Sequence, residues 1–465
     1  MSSSVDNTAG QRSVPYRAAT ALPARRRPHP AVRTPFAATK LVDTFVSALM
    51  LMSVISIFTV SSAMLTNWGI RYLTNGGGFY EKLHPATYGV FLASLLLLMR
   101  DGDPIAEINR TLSQSKLLLV YLFCWFCLLV QMFVLGRPFT VIIDTFLLPV
   151  VLCLVIWRLS ERQKQWLVWA VHFAILINVM AGYYEYFSGH RLIPLTLGSV
   201  LVLGEWRASA FLGHPLTASG VVAAYVLALV LRPALCPPMT IRLPLITLSL
   251  GSLMAFGGRT ALMTVLLILG CLAILESIKL LRGKRASLLA AMATICLIFV
   301  AVAGIFAALD LGLFDKMLLR FSSDKGSTLA RFATFDMLNH FDWLELVLGP
   351  NPVRASALQT QLGLNYGIEN FWVSSIIQFG LVHTALMSIG LVCFFIEILK
   401  RSSWAAWAIV LLIVMIAASS VSFSSKNIQL TQLILLITLL LPKAPRRSSA
   451  AGAIYPHARH RPIPA

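Results

Sequence analysis

Charged residues are scarce in this chain of 465 residues. They make up 12% of it, with only 19 Asp and Glu against 38 Lys and Arg. Soluble domains carry about twice that charged fraction. Hydrophobic residues reach 57% and the mean hydropathy is +0.78. This composition excludes a soluble domain and predicts an integral membrane protein.

Sequence motifs for cofactors are also missing. The chain has no P-loop, no GxGxxG after a strand and no HExxH, so neither a nucleotide nor a zinc site is indicated. Cys124 and Cys127 have the spacing of a redox or metal motif, but they lie inside an apolar run with no second pair nearby, which favours packing. We predict no metal and no cofactor.

Apolar runs recur from end to end and predict an all-α, polytopic membrane fold. A span needs about 20 residues to cross about 30 Å of hydrocarbon, and several of these runs are shorter, so the prediction is about twelve helices. The predicted segments are 41–66, 86–99, 117–135, 140–157, 167–187, 217–231, 243–256, 260–281, 288–309, 371–396, 404–421 and 428–441.

The charge of alternate connections predicts the orientation. The side that carries both termini holds 26 of the 38 cations and 8 of the 19 acids. Nearly all of the net charge of +19 therefore lies on that side, as the positive-inside rule expects, and it does not indicate nucleic-acid binding. We expect the basic tails, 1–40 and 442–465, to be disordered in the cytoplasm, flanking a membrane domain over 41–441. The long connections 188–216 and 310–370 then face outward.

Two stretches on the outward side stand out. The run 243–281 has 39 residues, too many for one span, so Gly257 and Gly258 predict a reversal that puts Arg259 at the outer membrane face. The loop 310–370 contains apolar residues at every third position from Leu329 to Leu344. This repeat predicts an amphipathic helix lying against the membrane surface.

Seven polar residues on this side are candidate site residues: Arg207, His214, Arg259, Arg331, Asp336, Glu369 and Asn370. Arginines from three separate regions suit a diphosphate, because forked guanidinium donors bind phosphoryl groups at any pH. Each of these residues also has an alternative, purely structural interpretation. An interfacial arginine can bind lipid headgroups, His214 can cap the following helix, and Glu369 can complement a helix dipole.

The order of these motifs resembles the bacterial O-antigen ligase and polysaccharide polymerase superfamily over roughly 180–395. The resemblance rests on Arg-x-x-x-Phe-x-x-x-Pro, on Gly-Arg-Thr at a helix start, on a loop helix with an arginine, and on Glu-Asn before an apolar helix. The matching positions are Arg207, Phe211, Pro215, Gly258, Arg259, Thr260, Arg331, Gly349, Glu369, Asn370, Gly380 and Leu381. Two positions depart from the pattern: Glu369 stands where the ligase branch usually has histidine, and the loop helix ends in Gly-Pro-Asn instead of Gly-x-Gly.

The resemblance implies a membrane glycosyltransferase fold in the bacterial inner membrane and an undecaprenyl-diphosphate-linked glycan as donor, used on the periplasmic side without metal. Arg259 and Arg331 would stabilise the leaving diphosphate, with Arg207 as a third contact. Glu369 would be the general base, with His214 and Asp336 as alternatives and Asn370 in support. Glutamate at position 369 favours a polymerase over transfer to a lipid acceptor.

Other functions also fit parts of the sequence. A transporter or flippase of lipid-linked sugars fits the helix count, but no duplicated half and no acid–base chain within the spans is visible. A non-catalytic scaffold would not need outward arginines in three separate regions. The expected partners are membrane lipid and, within one pathway, a flippase and a chain-length regulator.

Overall fold

The computed structural model describes residues 37–74, 76–100, 103–197, 200–202, 206–231, 237–283, 306, 310, 315, 327–364, 367–420, 423 and 425–443. These residues are predominantly helical. Most of both predicted basic tails and nearly all of the predicted segment 288–309 lie outside them.

The helices are numbered in chain order. They are α1 (Ala37–Thr59), α2 (Ser62–Asn67), α3 (Pro85–Arg100), α4 (Pro104–Ser113), α5 (Lys116–Val134), α6 (Thr140–Ile142), α7 (Leu148–Arg158), α8 (Glu161–Ser188), α9 (Pro215–Val230), α10 (Met239–Phe256), α11 (Arg259–Leu281), α12 (Ser327–Asp336), α13 (Trp343–Leu348), α14 (Pro352–Gln361), α15 (Phe371–Phe379), α16 (Leu381–Arg401), α17 (Ala406–Ser419) and α18 (Gln429–Leu440). A π-helical turn, Ile143–Leu147, joins α6 to α7. Short strands β1 (Thr196–Leu197) and β2 (Val200–Leu201) pair antiparallel.

Seven helical stretches among the described residues are long and apolar enough to cross a membrane: Lys40–Thr59, Lys116–Val134, Thr140–Arg158, Glu161–Ser188, Met239–Phe256, Arg259–Leu281 and Leu381–Arg401. Four shorter apolar helices accompany them, namely α3, α9, α17 and α18. This set is compatible with the polytopic membrane fold that the composition predicts. The count of twelve spans is not confirmed and stays a prediction.

The core of the bundle surrounds α9, whose residues from Thr217 to Leu229 are all buried. Its sequence has four alanines together with Ser219 and Gly220, and small residues let neighbouring helices approach closely in a membrane. Helices α10, α17, α18 and α11 pack around it. Gly220 shows how tight the packing is, because a Cβ there would lie 2.7 Å from the Gln429 side chain of α18.

One end of the bundle, here called the Arg158 end, is held by ion pairs. Arg158 contacts Glu107 of α4 at 2.6 Å, and Arg100 contacts Asp43 of α1 at 3.1 Å. Farther along this end, Ser402 bridges Pro442, which follows α18. The first described helix therefore begins, and the last one ends, at the same end of the bundle. The opposite end, which carries the start of α11, is called the Arg259 end.

Two predicted spans are interrupted. The segment 41–66 divides into α1 and α2, because the Ser61 hydroxyl accepts the Met64 N–H and caps a new helix. The segment 371–396 divides into α15 and α16 at Gly380, whose φ of +82° ends the first helix. Helix α4, in a connection where the sequence predicts none, was missed, although Asp103 before Pro104 is a helix-start signal.

The prediction of one amphipathic helix over 329–344 is wrong. The run consists of α12, a 3-10 turn at Met337–His340, and α13. An α-helix turns about 100° per residue, so apolar residues at every third position drift by about 60° each time and cannot share one face. Leu329 and Phe332 are accordingly exposed, whereas Phe341 is buried against α14 and α15 in a small separate core.

Candidate functional site

Arg331 and Glu369, predicted from separate parts of the loop, form an ion pair. The Arg331 Nε lies 3.6 Å from Glu369 Oε2, and the two side chains are 47% and 28% exposed. Arg331 projects from α12, and Glu369 directly precedes Asn370, the N-cap of α15. At 3.6 Å the contact is an ion pair without a short hydrogen bond, so either group can exchange it for another partner.

The end of α17 links this pair to the start of α11. Asn370 Oδ1 accepts the Val373 N–H at 3.1 Å, and its Nδ2 donates to the carbonyl of Ala418 at 3.3 Å. The next residue of α17, Ser419, donates from its hydroxyl to Thr260 Oγ1 at 3.0 Å. Asn370, next to Glu369, and Thr260, next to Arg259, thus contact the adjacent residues Ala418 and Ser419 at the end of α17.

The predicted reversal at Gly257 and Gly258 is confirmed. Gly257 ends α10 with φ +64°, and α11 begins at Arg259. A Cβ on Gly257 would lie 2.8 Å from Cγ of Arg207, so the Arg207 side chain lies directly on this turn. A Cβ on Gly258 would collide with the hydroxyl of Ser219. Both glycines are therefore needed for close packing, and the turn places Arg207 beside the start of α11.

A buried carboxylate that the sequence analysis missed holds the Arg207 segment. Glu185, 4% exposed at the end of α8, accepts the backbone N–H of Leu192 at 2.9 Å, of Ser209 at 2.7 Å and of Ala210 at 2.9 Å. Ala210 has φ +49°, a conformation that costs free energy for a residue with a Cβ. The sequence signal that could have identified Glu185 is its position as an acidic residue at the end of an apolar run.

His214 caps a helix in this structure. Its Nδ1 accepts the Leu216 N–H at 3.2 Å at the start of α9, and the ring is half-buried. The preceding Gly213 has φ +74° and packs against Ser61. This geometry is the capping role that the sequence left open.

Asp336 is the last residue of α12 and is exposed. Its carboxylate accepts a weak hydrogen bond from Asn339 at 3.4 Å, and its carbonyl contacts the ring of His340 at 3.0 Å. In the described part of the chain these contacts stay within its own turn. The structure therefore does not bring Asp336 to the Arg331–Glu369 pair.

The loop that carries Arg331 is docked on the break between α15 and α16. A Cβ on Gly380 would lie 2.6 Å from the backbone nitrogen of Gly349, so the two backbones touch. Arg137, after α5, donates to the carbonyls of Gln378 and of Pro350, the latter at 2.9 Å. Gln131 donates to the carbonyl of Phe379 at 2.6 Å. The sequence analysis predicted a role for neither Gln131 nor Arg137. An arginine at the end of a span is ordinarily interfacial.

A second buried polar cluster lies at the Arg259 end. Asp144, in the π-helical turn, is fully buried and accepts hydrogen bonds from the Tyr72 hydroxyl at 2.8 Å, the His84 N–H at 3.1 Å and the Thr87 hydroxyl at 2.7 Å. Lys426 Nζ lies 3.9 Å from Asp144 Oδ2 and 3.8 Å from the Tyr72 ring centroid. The cluster anchors the connection from α17 to α18, and hence the end of α17.

Burial changes the titration of this lysine. Removal from water lowers the pKa of Lys426 to about 8, against the opposing attraction of Asp144. Burial also lowers the pKa of His84, whose ring contacts the carbonyl of Val60 at 2.8 Å. The sequence offered no pattern for this cluster, since its members come from four separate connections and span ends.

Within the described residues, no three His, Cys, Asp or Glu side chains are grouped so that they could hold a metal ion. Comparison with known proteins identifies no family: no family model, no curated protein and no solved structure matches this chain. The superfamily resemblance therefore stays a hypothesis. At the Arg259 end, Arg331 pairs with Glu369, and Arg207 lies on the turn that precedes Arg259.

Proposed function

We propose that this protein is a polysaccharide polymerase of the bacterial inner membrane. It would transfer a glycan from a lipid-diphosphate donor to the hydroxyl of another sugar chain on the periplasmic side. The observation that carries the proposal is the Arg331–Glu369 ion pair, tied by Asn370 and Thr260 to the end of α17 that also supports Arg259. A diphosphate needs several fixed cations, and a glycosyl transfer needs a proton acceptor beside them.

The ion pair suggests how donor binding prepares the base. A diphosphate that engages Arg331 would take over the guanidinium and release the Glu369 carboxylate toward the acceptor. The acceptor oxygen then forms a bond to the anomeric carbon, and its proton passes to Glu369. The bond from that carbon to the diphosphate breaks, and the leaving diphosphate retains the electron pair under the charge of Arg259 and Arg331.

The surroundings of the arginines suit a donor that stays in the bilayer. One and two turns after Arg259, α11 exposes Met263 and Leu267, at 54% and 63%. On α12, Phe332 and Phe335 are 69% and 55% exposed beside Arg331. A lipid-linked diphosphate could therefore place its charged group at the arginines and its chain along apolar side chains, which a water-soluble sugar nucleotide does not require.

Paired variants test the proposal. Glu369→Gln and Arg331→Lys, expressed in the gene-deleted native host, should shorten or abolish surface polysaccharide. Glu369→Gln should still bind the lipid-linked donor, because the arginines remain. Glu345→Gln and Arg354→Lys are matched controls, since they form a 2.7 Å ion pair in the same loop and should leave polymer length unchanged. Protein level in the membrane must be equal in all variants.

Full-length polymer in Glu369→Gln would remove this residue from the chemistry. The deletion strain distinguishes the other functions. Loss of attachment with long lipid-linked polymer retained would indicate ligase-type transfer to a lipid acceptor. Accumulation of single lipid-linked units on the cytoplasmic side would indicate a transporter or flippase, and either result would contradict a polymerase.

A further inference from the structure

A polar cleft of about 340 Å³ opens at the Arg158 end, away from the candidate site. It lies between the starts of α1 and α8 and the ends of α3 and α7. Its polar lining consists mainly of Asp43, Ser47, Arg100, Arg158, Ser160 and Gln163. This volume is within the usual range of ligand sites, about 300–1,000 Å³.

The cleft carries both signs of charge. Arg100 Nη1 lies 3.1 Å from Asp43 Oδ1, and Arg158 contributes a second guanidinium, 18% exposed, whose Nη2 is 2.6 Å from Glu107 behind it. Gln163 donates to the Ser47 hydroxyl at 2.6 Å and so joins α8 to α1. Cationic donors and a carboxylate acceptor within one cleft complement a zwitterion better than an anion alone.

An apolar cavity of about 160 Å³ adjoins the cleft beneath α4. Leu97, Leu112, Leu154 and Val155 contribute to its lining, and Arg158 lines both the cavity and the cleft. The Arg158 guanidinium therefore lies at the boundary between the polar cleft and the apolar cavity. Helix α4 lies alongside with Ile105 79% exposed and Glu107 buried, the pattern of a helix at a membrane interface.

We propose that the cleft and the cavity together bind one phospholipid with an ethanolamine headgroup. The phosphate contacts Arg100 and Arg158, and the primary ammonium contacts the Asp43 carboxylate and the Ser47 hydroxyl. The upper part of one acyl chain enters the apolar cavity. A glycerol headgroup brings no ammonium group to the Asp43 carboxylate, and a choline headgroup has no N–H to donate, so both fit less well.

Native mass spectrometry of the full-length protein tests this site. Protein purified in detergent is incubated with phosphatidylethanolamine, phosphatidylglycerol or phosphatidylcholine of identical chains. We expect retention of phosphatidylethanolamine to be about tenfold stronger than that of the other two, the effect of one charge-assisted contact. Inorganic phosphate and glycerophosphoethanolamine, added in excess as competitors, should displace little of it because neither fills the apolar cavity.

Two variants with matched controls locate the binding. Thr44 is exposed and lines the cleft, so Thr44→Trp should block it and reduce retention about tenfold, whereas Ala48→Trp, one turn along α1, should not. Arg100→Gln should also weaken retention. Its control, Arg110→Gln, changes an arginine of α4 that is 66% exposed and does not line the cleft.

Three results would overturn the proposal: equal retention of the three lipids, retention unchanged in Thr44→Trp, or full displacement by glycerophosphoethanolamine. Preferred retention of phosphatidylglycerol would also contradict it, because binding would then not depend on an ammonium group at the Asp43 carboxylate. Melting temperatures measured without added lipid show whether Arg100→Gln is folded, and Thr44→Trp tests the cleft without changing any ion pair.

Discussion

The backbones of Gly349 and Gly380 are in contact, although 31 positions separate them in the chain. Gly349 ends the loop segment that begins with α12, and Gly380 divides α15 from α16. Their contact connects the position of Arg331, on the loop, to that of Glu369, at the start of α15. A Cβ at Gly380 would therefore disturb the site, and the three atoms nearest to it would all be backbone atoms of Val347, Leu348 and Gly349.

Gly380→Ala should undock the loop. Gly380 has φ +82°, and an added Cβ would lie 2.6 Å from the Gly349 nitrogen, so strain of about 1–3 kcal/mol combines with a backbone clash. We expect faster proteolysis within 327–364. Gly363→Ala is the control, because Gly363 has a similar φ of +72° and open space around it. Equal proteolysis of the two variants would show that the contact does not hold the loop.

Arg259→Lys tests diphosphate recognition at the start of α11. Lysine keeps the charge but loses the forked donors, so polymer formation should slow by about ten- to a hundredfold, corresponding to roughly 1.5–3 kcal/mol. Arg282→Lys, at the other end of the same helix, should have no effect. Polymer assays at matched protein level provide the measurement. Normal polymer in both Arg259→Lys and Arg259→Ala would reduce Arg259 to an interfacial anchor.

Glu185→Gln should loosen the Arg207 segment. The amide cannot accept the three backbone hydrogen bonds as a charged carboxylate does, and we expect a loss of roughly 1.5–3 kcal/mol. Hydrogen exchange at Ser209 and Ala210 should become faster. Glu161→Gln, on the same helix but 81% exposed, is the control. Unchanged exchange at these amides would mean that other contacts hold the segment.

The stability of the protein should depend on Lys426 at alkaline pH. Its pKa is lowered to about 8 by burial, whereas a lysine of the unfolded chain titrates near 10.4. Between about pH 8 and about pH 10 the unfolded state binds more protons, so this residue should raise the free energy of unfolding as pH increases, by up to about 3 kcal/mol.

Melting curves of the wild type and of Lys426→Gln, recorded across this range, provide the measurement. The variant should lack this part of the rise, and Lys279→Gln, at a 56% exposed lysine, should retain it. Parallel pH profiles for wild type and Lys426→Gln would contradict the lowered pKa.

The orientation can be tested by labelling engineered cysteines after replacement of the exposed native Cys271. Ser356 is exposed on α14, and a cysteine there should react with an impermeant maleimide on intact cells. Trp404, between α16 and α17, is 70% exposed, and Trp404→Cys should react only after permeabilisation. The reverse pattern would place the Arg259 end in the cytoplasm and contradict a periplasmic reaction.

Local chemistry made the turn at Gly257 and Gly258 predictable. An apolar run that is too long for one span and contains two adjacent glycines is expected to reverse direction at those glycines. The break at Gly380 was not predictable in the same way, because a single glycine inside an apolar run is tolerated in membrane helices. What requires glycine there is the backbone of Gly349, a contact from a distant segment. The ion pair of Arg331 with Glu369 depends on the same docking.

The sequence by itself predicted a helical membrane protein, since a backbone in lipid satisfies its hydrogen bonds within a helix, and the seven long apolar helices of the structure are compatible with that prediction. It also determined where the α10–α11 reversal lies. Only the tertiary structure decided which polar residues meet: Glu185 with the Arg207 segment, Asn370 and Thr260 with the end of α17, and Asp144 with Lys426. Such contacts depend on the packing of distant helices, and no local pattern of residues specifies that packing.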